Sequence, residues 1–227
     1  MRMPFTTAPH FLFTTHTITM RHLIFLFSLT LSTLAHAQTD SISQGNQSLL
    51  KRFFEYANQN KISQLPVNER IAAIGCYFIE TPYAGGTLEI NEQEQLVVNL
   101  REFDCVTFVD NVLALALMDK YDKQDLPQFL INLKKIRYRN GKITDYTTRL
   151  HYSSDWLHEM EHSGIIEDVT KEKGGIPFTN KVSFISRNWQ KYPALQRDTS
   201  LVKKMMHVEK KINNRHYYYI PKEKVLP

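Results

Sequence analysis

From Phe103 to Tyr121 the chain reads FDCVTFVDNVLALALMDKY, and this stretch constrains the fold more than any other. Apolar residues recur at helical spacing on almost every side of it, so a helix formed here must be wrapped by other elements. Asp104 stands where a helix N-cap belongs, and Cys105 then falls at or beside the first turn. Val109, Val112, Leu113 and Ala116 make a stripe expected in the core, with no reason to invoke a cofactor. The bulk numbers suit one globular domain around such a helix. A length of 227 residues with 42% hydrophobic and 22% charged supports one core, is too short to expect two, and argues against wholesale disorder.

The flanking pattern is mixed. Ser48 is placed to cap LLKRFFEYANQNKI, and Asn68 to open NERIAAIGCYFIE, where Ile71, Ile74 and Phe78 share a face and Thr81-Pro82 stops the helix. PYAGG is a tight glycine-rich turn, followed by two extended pieces, TLEI and QLVVNL. Asp125 starts an amphipathic helix, LPQFLINLKKIRYRN, ended by Gly141, and Ser153 or Ser154 caps a short helix in TTRLHYSSDWLHEMEHSG. IIEDVT and KVSFIS read as strands separated by the loop KEKGGIPFTN. The last helix is expected from Asp198 to Asn213, and HYYYIP is extended. There are no heptads and no internal repeat.

The first 37 residues read as a secretory leader. Met20-Arg21-His22 is a basic start, Leu23 to Leu34 an apolar run, and Ala35-His36-Ala37 a small-x-small cleavage site. The run is too short to span a bilayer, and no cysteine follows it to carry a lipid. Residues 1–19 add nothing to this pattern, so Met20 is a candidate true start and 1–19 a spurious extension. The expected location is therefore exported and periplasmic, with no stable membrane insertion after cleavage. The remaining domain, 38–227, carries 26 basic and 23 acidic residues, net +3. That mild balance, without a basic stripe interleaved with aromatics, argues against nucleic acid as a partner.

An exported chain with two cysteines raises the expectation of a disulfide, but the contexts of Cys76 and Cys105 differ. Cys76, in IAAIGCYFI, reads as a buried structural thiol. Cys105 occupies a chemical position. A thiol attacks as thiolate, and the unpaired N–H groups and dipole of a helix N-terminus favour that charge. The same N–H groups can receive the oxyanion that forms when a carbonyl is attacked. The mature chain holds five histidines: His151, His158, His162, His207 and His216. His158 and His162 lie four apart on an expected helix, a possible metal spacing, but no third ligand stands near them, so no metal is expected.

TPYAGGT, about 20 residues before FDCVTF, resembles the signature of NlpC-type cell-wall hydrolases, which are papain-like cysteine enzymes. More segments match one branch. TPYAGGTLE, LREFDCVTFVDN, TTRLHYSSDW, GIIEDVTKEKGG and YYYIPKEK, in this order, resemble the N-acetylmuramoyl-L-alanine amidase-like family, also known as domain of unknown function 1460.

The resemblance implies an α+β fold, papain-like with the helical half present and the sheet half largely missing, and 38–227 as an amidase-like domain. It implies hydrolysis of the N-acetylmuramoyl–L-alanine amide, with peptidoglycan fragments (muropeptides) as partners and no cofactor. On it Cys105 is the nucleophile, and Tyr83, Asp104, Arg149, His151 and Asp155 belong to the substrate site, with Gly85 and Gly86 shaping the turn. Family members continue beyond the YYIPKEK segment to a His-Val-Gly motif that supplies the catalytic histidine. The expectation from this departure is a domain incomplete at its C-terminus. That leaves open whether the chain is an active amidase or an inactive member that binds muropeptides without turnover. Three roles for His151 also stay open: base, substrate contact or structural histidine.

Overall fold

Residues 42–122 and 125–225 are described in a computed structural model of the chain. The expected leader and its cleavage site lie outside them. Eight α-helices occur among the described residues: α1 (Gln44–Gln59), α2 (Val67–Tyr77), α3 (Cys105–Ala116), α4 (Leu126–Arg137), α5 (Ser153–His162), α6 (Phe184–Arg187), α7 (Pro193–Arg197) and α8 (Ser200–Asn213). Two short strands, β1 (Ile176–Phe178) and β2 (Tyr217–Tyr219), pair antiparallel with Ile176 opposite Tyr219. The fold is thus helix-rich with a small sheet, consistent with α+β.

α3 is central, as its apolar sequence demands. It packs against α2 on one side and α4 on the other, and α4 in turn contacts α5. Val112, Ala114, Leu115 and Ala116 of α3 join Phe129, Leu133 and Ile136 of α4 in one buried cluster. Phe53 of α1, fully buried, anchors the same cluster, stacking on Phe78 at 5.7 Å and meeting Tyr77 and Tyr121 edge-on. Such aromatic pairs add roughly 0.5–1.5 kcal/mol each beyond the area they bury. A second cluster gathers Tyr146, Ile185, Leu195, Leu201 and Met205, holding α6, α7 and α8 against the turn at 146–148.

Several expectations move. α1 begins at Gln44 with Ser43 as its cap, because Ser43 Oγ accepts from Asn46 N while Asn46 itself is buried and bonds Val98 and Leu100. The expected strands at 165–170 and 181–186 are absent: the first is irregular, and the second leads into α6. The strand lies instead inside the expected loop, at Ile176–Phe178. TLEI and QLVVNL pair with nothing as strands. Cys76 is exposed and free rather than buried, since it sits two residues past Ile74, about 200° around the helix from the buried face. Val109, expected in the core, is 42% exposed. Among the described residues no helix is long and apolar enough to cross a membrane.

Candidate active site

The head of α3 is fixed by a reciprocal cap. Asp104 Oδ1 accepts from Thr107 N at 2.7 Å, and Thr107 Oγ1 accepts from Asp104 N at 2.9 Å. This capping box contributes on the order of 1 kcal/mol and sets where the helix starts. Cys105 is therefore the first helical residue, and its thiol is free and exposed. Thr107 N–H is occupied by Asp104, and Phe108 N–H by the Asp104 carbonyl. The N–H groups of Cys105 and Val106 remain as open donors at the helix end among the described residues.

Two backbone hydrogen bonds bring the glycine-rich turn alongside. Ala84 N donates to Phe103 O and Phe103 N to Pro82 O, each at 3.0 Å, forming a parallel bridge between Tyr83 and Phe103. Tyr83 is thus held level with the residues that lead into Cys105, and the residue is 78% exposed. Gly86 then turns the chain at φ +76, a conformation that strains any side chain with a Cβ.

Beyond this turn opens a cleft of about 490 Å³. Asp104, Cys105, Val106, Val109 and Asp110 of the α3 segment form one wall, and Leu88 and Glu89 another. Arg149, His151, Trp156 and Leu157 complete it. Of the residues expected at the site, the fold brings Asp104, Cys105, Arg149 and His151 together here. Tyr83 stands close to Cys105 along the chain path but does not line the cleft.

Asp155 is elsewhere. Its side chain is buried, with Oδ1 accepting from Arg215 at 2.7 Å and Oδ2 from Arg139 at 2.5 Å. Burial works against its charge, but the two guanidiniums hold the carboxyl below the usual value. A carboxylate so occupied ties α5 to the segment after α8 and has no free oxygen for a ligand.

Arg149 lines the cleft with its fork already engaged. Nε and Nη2 donate to the Glu94 carboxylate at 2.9 and 2.6 Å, and Nη1 donates to Glu89 at 2.6 Å. Tyr138 adds its hydroxyl to Glu94 at 2.6 Å. The guanidinium therefore positions Glu89 as a wall of the cleft. Nε2 of His151 sits 2.8 Å from the Tyr146 carbonyl, so that nitrogen carries the proton and Nδ1 is the acceptor. Burial and the neighbouring Arg149 charge lower the imidazole to about 3, which keeps it neutral.

Glu89, Asp110 and Trp156 were not foreseen. Asp110 carried a signal: an ionisable residue inside an apolar helix must find a partner, and Arg137 Nε meets it at 2.8 Å. Glu89 carried none. His158 and His162 stack at 6.4 Å, and no group of three metal-ligating side chains occurs among the described residues.

A sequence profile described as AmiA-like, N-acetylmuramoyl-L-alanine amidase-like, matches residues 73–227. The chain belongs to this family. The family's match takes in the turn, the capped thiol and the whole cleft. Among solved structures, the chain is similar to an N-acetylmuramoyl-L-alanine amidase from Bacteroides uniformis, with 37% identity over 69% of this chain and 65% of that one and a TM-score of 0.65. It is also similar to a Bacteroides fragilis protein described as a candidate xylanase, at 38% identity, 68% of each chain and a TM-score of 0.64. A Legionella pneumophila protein of domain of unknown function 1460 follows, at 25% identity, 76% of this chain and 60% of that one, TM-score 0.53. The chain spans about two thirds of the length of the two Bacteroides structures. No protein with a curated function matches it in sequence.

Proposed function

We propose that this chain is an exported cysteine amidase of the NlpC type that acts on peptidoglycan fragments, splitting the bond between N-acetylmuramic acid and the first L-alanine. The observation that carries this reading is the free Cys105 thiol on the capped first turn of α3, opening on a cleft in a member of an amidase-like family. In the proposed chemistry Cys105 Sγ bonds to the amide carbonyl carbon, and the N–H groups of Cys105 and Val106 receive the oxyanion. The C–N bond then breaks as the nitrogen takes up the proton given up by the thiol, so the stem peptide leaves with a free amine, and water hydrolyses the thioester to the muramic acid carboxyl and restores the thiol.

A second reading has a specific observation behind it. A cysteine nucleophile needs a base within hydrogen-bond reach. Of the described residues only one histidine, His151, lines the cleft, and an imidazole lowered to about 3 is a weak proton acceptor. This favours His151 as a contact to substrate, and it favours muropeptide binding without turnover as the alternative. The two readings part in one experiment. Purified chain is incubated with muropeptides, and free stem peptide is followed by mass spectrometry. The amidase reading expects release that disappears in Cys105→Ala. Binding measured by calorimetry without any release sinks it in favour of the binding reading.

A further inference from the structure

The cleft is acidic in a way that its ion pairs do not cancel. Glu89, Asp104 and Asp110 line it beside a single cation, Arg149. Adding the partners behind the wall, Glu94 and Arg137, gives four carboxylates against two guanidiniums. Either way the carboxyl groups outnumber the guanidiniums by two, with burial raising the Asp110 carboxyl above its usual value against the pull of Arg137. The Arg149 charge is already matched by Glu89 and Glu94, which take three of its five N–H donors.

Asp110 supplies an independent observation. It is only 2% exposed, yet it lines the cleft. Arg137 holds Oδ2, and Oδ1 has no partner among the described residues. A buried ion pair is a costly way to fill space that an apolar side chain would fill as well. Its free oxygen is an acceptor set rigidly into the wall, one helical turn below Val106. His151 adds a second: Nε2 is committed to Tyr146, and Nδ1 is free among the described residues. Glu89, held at one oxygen by Arg149 and 33% exposed, is the third. These three are acceptors with a net negative charge, and they stand apart from the cleft's open donors, the Trp156 Nε1 and the first N–H groups of α3. The chemistry these acceptors suit is a primary ammonium, which brings one positive charge and three donors.

We infer that this cleft binds a primary ammonium group of the substrate, with acceptors drawn from Glu89, Asp110 and His151. The inference rests on the reading of muropeptides as ligands and narrows it to fragments whose stem carries a diamino acid with a free side-chain amine. Apolar Val106, Val109 and Leu157, each more than 40% exposed, offer the stem of such a side chain its cover.

The test uses two probes, an N-acetylmuramoyl tripeptide ending in L-lysine and the same compound acetylated on the lysine amine. Affinity is measured by calorimetry on Cys105→Ala, so that turnover is not required, and hydrolysis of both probes is measured on the unsubstituted chain. The free amine should bind about tenfold tighter or more, as charge-assisted hydrogen bonds of this kind allow. In Cys105→Ala carrying Glu89→Gln the gap should shrink to about threefold or less, with the far-ultraviolet circular dichroism unchanged. Equal binding of the two probes overturns the inference, and so does a gap that survives in both Glu89→Gln and Asp110→Asn. Hydrolysis of both probes without preference leaves the amidase reading standing and removes the ammonium site. Preferential binding without hydrolysis does the reverse. Neither binding nor hydrolysis overturns both.

Discussion

Two cysteines, both exposed and both free, make an internal control at the scale of single residues. Cys105 opens a twelve-residue helix, whereas Cys76 is the next-to-last residue of α2, where carbonyls rather than N–H groups lie unpaired. Iodoacetamide should therefore label Cys105 faster than Cys76, read by peptide mass spectrometry, and equal rates would discard the helix-assisted nucleophile. His151 gives a second expectation. Its folded value of about 3 lies below the unfolded 6.5, so the unfolded chain takes up a proton that the folded chain refuses. Stability is retained above pH 6.5 and falls as the pH drops from there toward 3, with a slope approaching about 1.4 kcal/mol per pH unit. Urea unfolding from pH 7 to 4 checks it: His151→Gln should reduce that slope, leaving the part due to His158, which burial also lowers, and an unchanged slope would show that the His151 ring titrates normally. Sequence made Cys105 and Asp104 legible because cap and nucleophile are local. It did not make Glu89 legible, because only the Arg149 fork brings that residue to the cleft from 60 positions away.

At the scale of elements, Asp155 joins three segments, receiving Arg139 from the end of α4 and Arg215 from beyond α8. Asp155→Asn would leave both guanidiniums without their shared anion. Because each is about one-fifth exposed, the cost should lie at the low end for broken buried pairs, about 3 kcal/mol in urea unfolding. A loss under about 0.5 kcal/mol would mean that water replaces the carboxylate. The depressed carboxyl also predicts that this contribution is present above the ordinary aspartate value and vanishes as the pH falls through its lower folded value. Element recognition from sequence followed the same division between local and distant causes. α3 and α4 were visible in their apolar spacing. β1 was not, because three residues with Pro177 at their centre carry no alternation, and their partner lies about 40 positions onward. The start of α1 is not legible locally, because it depends on Asn46 reaching Val98.

At the scale of the whole molecule, the two hydrophobic clusters divide the work of stability. The larger one surrounds α3 and fixes the thiol; the smaller one, around Met205, fixes α8 and the turn that carries Tyr146. Met205 is fully buried, so Met205→Ala should cost about 2–5 kcal/mol. Hydrogen exchange should then show α6 to α8 opening more readily while α3 keeps its protection. Uniform loss across both clusters would show that they unfold as one unit. The placement of the thiol is legible in the sequence, because an apolar helix dictates its own burial, whereas the α+β class follows from the resemblance of the five segments. The small sheet and the second cluster rest on pairings too distant to leave a periodic trace. One further property follows from the bridge between Tyr83 and Phe103. It closes the segment between them into a loop pinned at its base, with Arg149 gripping Glu89 and Glu94 farther along. Between those two grips, the tip at Glu92 and Gln93 is exposed and, among the described residues, held only by Arg197, which donates to the Asn91 and Glu92 carbonyls, so it can lengthen at the loss of those bonds. Doubling such a loop adds only about 0.6 kcal/mol of closure entropy. Insertions there would leave the thiol in register, so this tip is the natural place for homologues to diversify and for an engineer to graft a reporter.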